Sequence, residues 1–159
     1  MNSTNDLLRV DHLQKVFTQG GKDLTIFDDL SFGIKRGEAI GLVGHSGSGK
    51  STLLHQIGLL DTPTAGEVYL SGINVSSLKD NDRTLIRQKD IGFIYQFHHL
   101  QPEFSALENV MLPQMIRGVH KKKAKKIAGK LLNQLGLAER LSHRPARLSG
   151  GEQQRVAIA

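Results

Sequence analysis

Gly44-His45-Ser46-Gly47-Ser48-Gly49-Lys50-Ser51 decides how the rest of this 159-residue chain is read. It fits the phosphate-binding template G-x-x-x-x-G-K-[ST] at every fixed position. The β-prone run Glu38-Ala39-Ile40-Gly41-Leu42-Val43 precedes it and the helix-compatible run Ser51-Thr52-Leu53-Leu54-His55-Gln56-Ile57 follows, which gives strand, loop and helix in the required order. A triphosphate needs many N–H donors at close range, and glycines let the backbone approach where side chains would hold it away. Gly44, Gly47 and Gly49 allow such a turn, with His45, Ser46 and Ser48 between them, and the helix through Thr52 points its positive end at the phosphates. Lys50 supplies an ammonium for the β and γ oxygens and Ser51 a hydroxyl for Mg²⁺. A plain glycine turn is the bland alternative, set aside because so many positions of the pattern agree.

Upstream of the loop, the apolar stretches 7–10, 24–27 and 30–34 are separated by Gly20-Gly21 and Asp28-Asp29, and predict a small antiparallel β-layer. Phe17 stands in the polar neighbourhood Lys15-Val16-Phe17-Thr18-Gln19, where its ring either stacks on a purine or packs the β-layer as core. Downstream, residues 67–70 read as a strand and 79–88 as a short charged helix. Ile91-Gly92-Phe93-Ile94-Tyr95 reads as a second buried parallel strand, with Gln96 at the carboxyl end where ligands gather in open α/β sheets. An amide there can reach Mg²⁺ or an attacking water, although a Gln that merely starts a loop explains it as well.

From Ser105 the pattern turns helical. Ser105-x-x-Glu108 has capping-box spacing, and Pro113 and Gly118 are expected to break the helix. Ala124, Ile127, Ala128, Leu131, Leu132 and Leu135 form one amphipathic stripe. Lys121, Lys122, Lys123, Lys125, Lys126 and Lys130 lie off that stripe and account for the whole net charge of +6, since the other 15 basic residues balance 15 acidic ones. A solvated helix face is the reading of this run. Contact with anionic lipid or nucleic acid is the alternative, but no aromatic residue interleaves to stack on bases. His98-His99 has no further ligands at a familiar spacing, so no transition-metal site is assigned.

The length fits one domain with one core. The chain has no cysteine, which rules out disulfides, thiolate metal sites and a cysteine nucleophile. Residues 1–6 carry neither a basic nor an apolar targeting segment, and no apolar run approaches the ~20 residues that cross a bilayer, so the chain is expected neither to cross nor to enter a membrane.

Leu148-Ser149-Gly150-Gly151-Glu152-Gln153-Gln154-Arg155 is the second motif. Ser149-x-x-Glu152 is another capping box, but that reading asks for no glycines in the first turn, where each costs about 1 kcal/mol. A glycine-paired helix start exposes N–H groups to an anion, so a second phosphate half-site lies about a hundred residues after the first. Two half-sites suggest a dimer.

With Gln96 between its two glycine motifs, the chain resembles the nucleotide-binding subunit of ABC transporters. That resemblance implies an α/β P-loop NTPase core with an antiparallel β-layer and a helical subdomain: 1–95 the β-layer and phosphate-loop core, 96–104 the glutamine loop, 105–159 the helical subdomain. It implies ATP and Mg²⁺ as cofactors, Lys50 and Gln96 as catalytic groups, Ser51 and Gln96 at the metal, and Phe17 as the adenine-stacking aromatic. It also implies a head-to-tail homodimer in which Ser149, Gly150, Gly151 and Glu152 of one subunit cover the ATP held by residues 44–52 of the other.

Within the family, Phe93-Ile94-Tyr95-Gln96-Phe97-His98-His99-Leu100 and Pro102-Glu103-Phe104-Ser105-Ala106-Leu107-Glu108-Asn109-Val110 are similar to the ATPases of lipoprotein-releasing systems. This implies a peripheral protein on the cytoplasmic face of the bacterial inner membrane, with two integral membrane subunits docking at Phe97–Phe104 and no nucleic acid as partner. Sibling ATPases for macrolide export or cell division share every nucleotide motif. Non-transport ABC ATPases of DNA repair usually carry long insertions between the two motifs, and none is visible here. A phosphate-loop kinase or GTPase leaves the second motif unexplained. The family's next segment, an apolar strand ending in Asp-Glu, and its switch histidine are not among these 159 residues, which are therefore expected to be an N-terminal piece without hydrolytic activity of its own.

Overall fold

The computed structural model describes residues 6–159; the N-terminal stretch read above for targeting, 1–5, lies outside them. The chain forms two compact units, Met1–Gly92 and Phe93–Ala159.

The first unit is built on the expected antiparallel layer, with longer strands than the separate apolar stretches suggested. Strands β1 (Asp6–Gln19) and β2 (Lys22–Lys35) form a hairpin, and β3 (Ala65–Leu70) and β4 (Ile73–Asn74) complete a sheet of order β2-β1-β3-β4. In β1, Leu8 and Val10 point into the core, and so do Leu13 and Lys15, so the inward phase slips by one residue between them. A bulge takes up that slip: His12 and, across the hairpin, Asp29 both adopt left-handed backbone, at φ 50° and 53°. The His12 N–H donates to Ser31 Oγ at 2.8 Å and its ring meets Asp29, so the irregularity is held by side chains of both strands. Gly66 fits against it because a Cβ there would sit 2.2 Å from the His12 carbonyl oxygen.

Helix α1 (Lys50–Ile57) lays Leu53 on the sheet's apolar face with Leu8, Val10, Leu13, Leu59, Val68 and Val75. The turn after α1 is held by cations. Arg83 of α2 (Asp80–Asp90) donates to the carbonyls of Leu59 and Asp61, while Lys15 Nζ donates to the Thr62 carbonyl and pairs with the Asp61 carboxylate at 2.8 Å.

Two expected elements do not form. Residues 38–43 and 91–95 were read as buried parallel strands, but neither pairs with another strand among the described residues. Ile40, Leu42, Ile94 and Tyr95 are exposed, and Val43 is 90 % exposed. A strand apolar on both faces is stable only inside a sheet that hydrogen-bonds its flanks and buries both faces. Local sequence supplies the propensity for that state and not the neighbours.

In the second unit, α3 (Ala106–Ile116), α4 (Lys121–Gln134) and α5 (Gly150–Ile158) pack around Val110, Met111, Ala124, Ala128, Leu132, Leu137, Leu148 and Val156. The α4 stripe is as expected: Ala124, Ala128 and Leu132 are fully buried and its lysines are exposed. Pro113 does not break α3, contrary to the sequence reading. It removes only the N–H that the Asn109 carbonyl would accept, the helix runs three residues further with Val110 and Met111 in the core, and Gly118 at φ 81° follows its end. No helix among the described residues is long and apolar enough to cross a membrane.

Candidate functional site

Each unit carries part of the expected machinery: Phe17 and residues 44–52 in the first, Gln96 and Ser149–Glu152 in the second. The phosphate loop closes through a turn in which the Ser48 N–H donates to the His45 carbonyl, and Gly49 caps α1 in left-handed backbone at φ 85°. Gly49 is required twice over, because a Cβ there would also lie 2.5 Å from the Ile26 side chain of β2. The Lys50 ammonium folds back onto the loop and donates to the Gly44 and His45 carbonyls, the former at 2.8 Å, with Ser48 Oγ at 3.4 Å. These contacts hold the cation against the loop backbone. The Ser51 side chain is exposed one residue further on and makes no hydrogen bond among those described. Among the described residues no group of three or more His, Asp or Glu could hold a metal by itself.

Phe17 lies near the end of the hairpin whose β2 strand touches Gly49 through Ile26, and it pairs with Leu24 in register. It is not core: 42 % of its surface is exposed. The Lys15 ammonium lies 4.7 Å from the ring centroid, a cation–π contact that restrains the ring.

Gln96 occupies an exposed bend and not the end of a strand. Just before it, Phe93 stacks on Tyr95 with centroids 5.6 Å apart, and Tyr95 meets His99 edge-on at 5.1 Å. Of the apolar residues that follow, Leu100 packs against the helical core, Phe104 is 39 % exposed and Phe97 is 75 % exposed. Asn109, which the sequence reading passed over, anchors this loop: its amide donates to the carbonyls of Gln101, Phe104 and Ser105, and its oxygen accepts from the Gln101 N–H at 2.7 Å.

The second glycine motif begins α5 with a complete capping box. Ser149 Oγ accepts from the Glu152 N–H, and Glu152 Oε2 accepts from the Ser149 N–H at 2.8 Å. The N–H groups of Gly150 and Gly151 have no partner among the described residues, and a Cβ on Gly150 would meet nothing within 4 Å. The helix therefore presents two open donors at its positive end. Gln153 ties the turn to the preceding loop through the Pro145 and Leu148 carbonyls. Glu152 Oε1 accepts from Arg140 Nε at 2.8 Å. This bond, with those to the Ser149 N–H and hydroxyl, lowers the Glu152 pKa from 4.5 to about 2, so the carboxylate is charged throughout the neutral range. Arg140 is a second residue that sequence reasoning missed. It ends one short 3₁₀ turn (Ala138–Arg140), its partner is twelve positions away beyond another (Pro145–Arg147), and no local pattern links them.

A phosphate loop on one unit and an open glycine helix start on the other define a nucleotide-binding module of the P-loop class. The sequence pattern of the ABC transporter family matches residues 27–159, and the chain belongs to that family. It is similar to the "Lipoprotein-releasing system ATP-binding protein LolD" of Nitrobacter hamburgensis, at 57 % identity over 147 residues, which are 92 % of this chain and 63 % of that relative. The protein of the same name from Paramagnetospirillum magneticum is 53 % identical over 154 residues, 97 % of this chain and 68 % of the relative. The chain thus spans about two thirds or less of the length of these relatives. Among solved structures it is similar to the ATP-binding cassette MJ0796 in a dimeric post-hydrolysis state bound to ADP and Pi, with a TM-score of 0.86, 39 % identity, and coverage of 95 % of this chain and 67 % of that one. The ABC ATPase fold expected from the sequence is therefore present, in part of its full extent.

Proposed function

We propose that these residues form the ATP-binding part of the energy-coupling subunit of an ABC transporter that releases lipoproteins from the bacterial inner membrane. The observation that carries this is the pair of phosphate-ready backbone ends, Gly44–Ser51 and Ser149–Glu152, in a chain more than half identical to LolD proteins over nearly all its length. Lys50 binds the β and γ oxygens, Ser51 and Gln96 contribute to holding Mg²⁺, and Phe17 stacks on adenine. Gly150 and Gly151 of one subunit donate to the γ-phosphate held by residues 44–52 of a second copy. ATP closes this head-to-tail homodimer on the cytoplasmic face of the membrane, and closure drives two integral membrane subunits.

Those subunits dock on the loop after Gln96. Leu100 is part of the helical core, so the exposed Phe97, with Phe104, carries the contact. Phe97→Ala in a full-length subunit carrying these residues is expected to leave the melting temperature and basal ATP hydrolysis unchanged and to abolish co-purification with the membrane subunits. Co-purification at full yield removes Phe97 from the interface.

Residues 1–159 alone are expected to bind ATP without turning it over, because the strand ending in Asp-Glu that polarises the attacking water in this family is not among them. Phosphate release above background from purified, monomeric 1–159 contradicts this.

A further inference from the structure

Glu152 sits in the third position of α5, in the turn whose Gly150 and Gly151 N–H groups are open. Its ionised carboxylate is unfavourable for an approaching phosphate and favourable for the helix start, where it caps the Ser149 N–H. The two demands conflict unless something cancels the charge without removing the cap. Arg140 does this: its Nε donates to Oε1 at 2.8 Å while Oε2 keeps the Ser149 N–H at 2.8 Å, so one carboxylate serves both partners with different oxygens. The Glu152 side chain is 18 % exposed and the Arg140 side chain 43 %, so the pair is only partly open to solvent.

We propose that Arg140 is a positioning residue for the α5 phosphate site, which neutralises the Glu152 carboxylate so that the Gly150 and Gly151 N–H groups can donate to the γ-phosphate of a second subunit. This rests on the head-to-tail reading given above and adds to it a residue outside both glycine motifs. Gln153, bonded to the Pro145 and Leu148 carbonyls, holds the same turn by neutral contacts only, so loss of Arg140 should remove charge compensation more than geometry.

The test uses the full-length subunit and sedimentation in the presence of a non-hydrolysable ATP analogue. Arg140→Met is expected to weaken ATP-driven dimerisation about tenfold, less than a like charge in direct contact with the phosphate would, because the Glu152 carboxylate keeps its bond to the Ser149 N–H and is partly screened by solvent. Monomer affinity for a fluorescent ATP analogue is expected to stay within about twofold, because residues 44–52 are untouched. Glu152→Gln removes the charge that Arg140 compensates while retaining an oxygen for the Ser149 N–H. Arg140→Met/Glu152→Gln should therefore dimerise as well as Glu152→Gln alone. Dimerisation of Arg140→Met at wild-type strength overturns the proposal, as does a double variant that stays as weak as Arg140→Met, which would make Arg140 a packing residue. If Arg140→Met does not fold, Arg140→Lys decides: it keeps the charge, so wild-type dimerisation supports the proposal and a tenfold loss overturns it. A wild-type subunit that fails to dimerise with the analogue overturns the head-to-tail reading itself, whereas a dimer indifferent to Arg140 overturns only this residue's role.

Discussion

Lys50→Ala is expected to weaken ATP binding about 100-fold. The Lys50 ammonium donates to the Gly44 and His45 carbonyls of the loop, and in the proposed site it exchanges these partners for the β and γ oxygens. Charge-assisted hydrogen bonds contribute about 1.5–3 kcal/mol each, and the loss of one or two gives an effect of this size. The substitution should not act through the fold. Lys50 is the first residue of α1, alanine is at least as good a helix former, and the helix stays anchored by Leu53 in the core. Titrating a fluorescent ATP analogue against both forms, with circular dichroism as the folding control, is the measurement. Equal affinities in two folded proteins would remove Lys50 from the phosphate site.

The parts of this molecule that were legible in the sequence are those whose physics is local. The phosphate loop is one, because left-handed Gly49 and the cation after it are set by adjacent residues. Both capping boxes are others, since Ser105 with Glu108 and Ser149 with Glu152 need only a three-residue spacing. The antiparallel layer was legible in its existence but not in its bulge: His12 and Asp29 adopt left-handed backbone to keep Val10 and Leu13 both facing inward, and neither residue type announces this. Residues 38–43 and 91–95 failed as strands because strand formation is a property of neighbours, and propensity alone cannot supply them.

At the candidate site the same division holds. Gly150 and Gly151 stand out in sequence because glycine is costly in a first helical turn, but the groups that arrange them do not. Arg140, at the end of one 3₁₀ turn, reaches Glu152 only after the chain has passed through another, and Asn109 anchors the loop from Gln101 to Phe104 only because α3 starts where its capping box places it. A residue that bonds across such a turn is read from coordinates, and an arginine in a stretch with Arg144 and Arg147 looks in sequence like one more surface charge.

Gly150→Asp is expected to abolish the ATP-sandwiched dimer while leaving the subunit folded and able to bind ATP. The backbone at Gly150 is not left-handed, and a Cβ there meets nothing within 4 Å, so the side chain enters open space. At the first position of α5 an aspartate is, if anything, favourable for the helix, because its charge lies at the positive end of the dipole. The defect should therefore lie in assembly alone. In the closed dimer the new carboxylate would face the γ-phosphate bound by residues 44–52 of the second subunit. Two like charges about 4 Å apart at a protein surface repel by about 4 kcal/mol, which corresponds to a loss of about 1,000-fold in dimer affinity, and the head-to-tail arrangement imposes the cost at both sites. Gly150→Ala is the control, since it fills the same space without charge and should retain most of the dimer. Size-exclusion chromatography with a non-hydrolysable ATP analogue separates the outcomes. A dimer that persists in Gly150→Asp at wild-type strength places the α5 N-terminus away from the nucleotide, and an equal loss in Gly150→Ala assigns the effect to shape and not to charge.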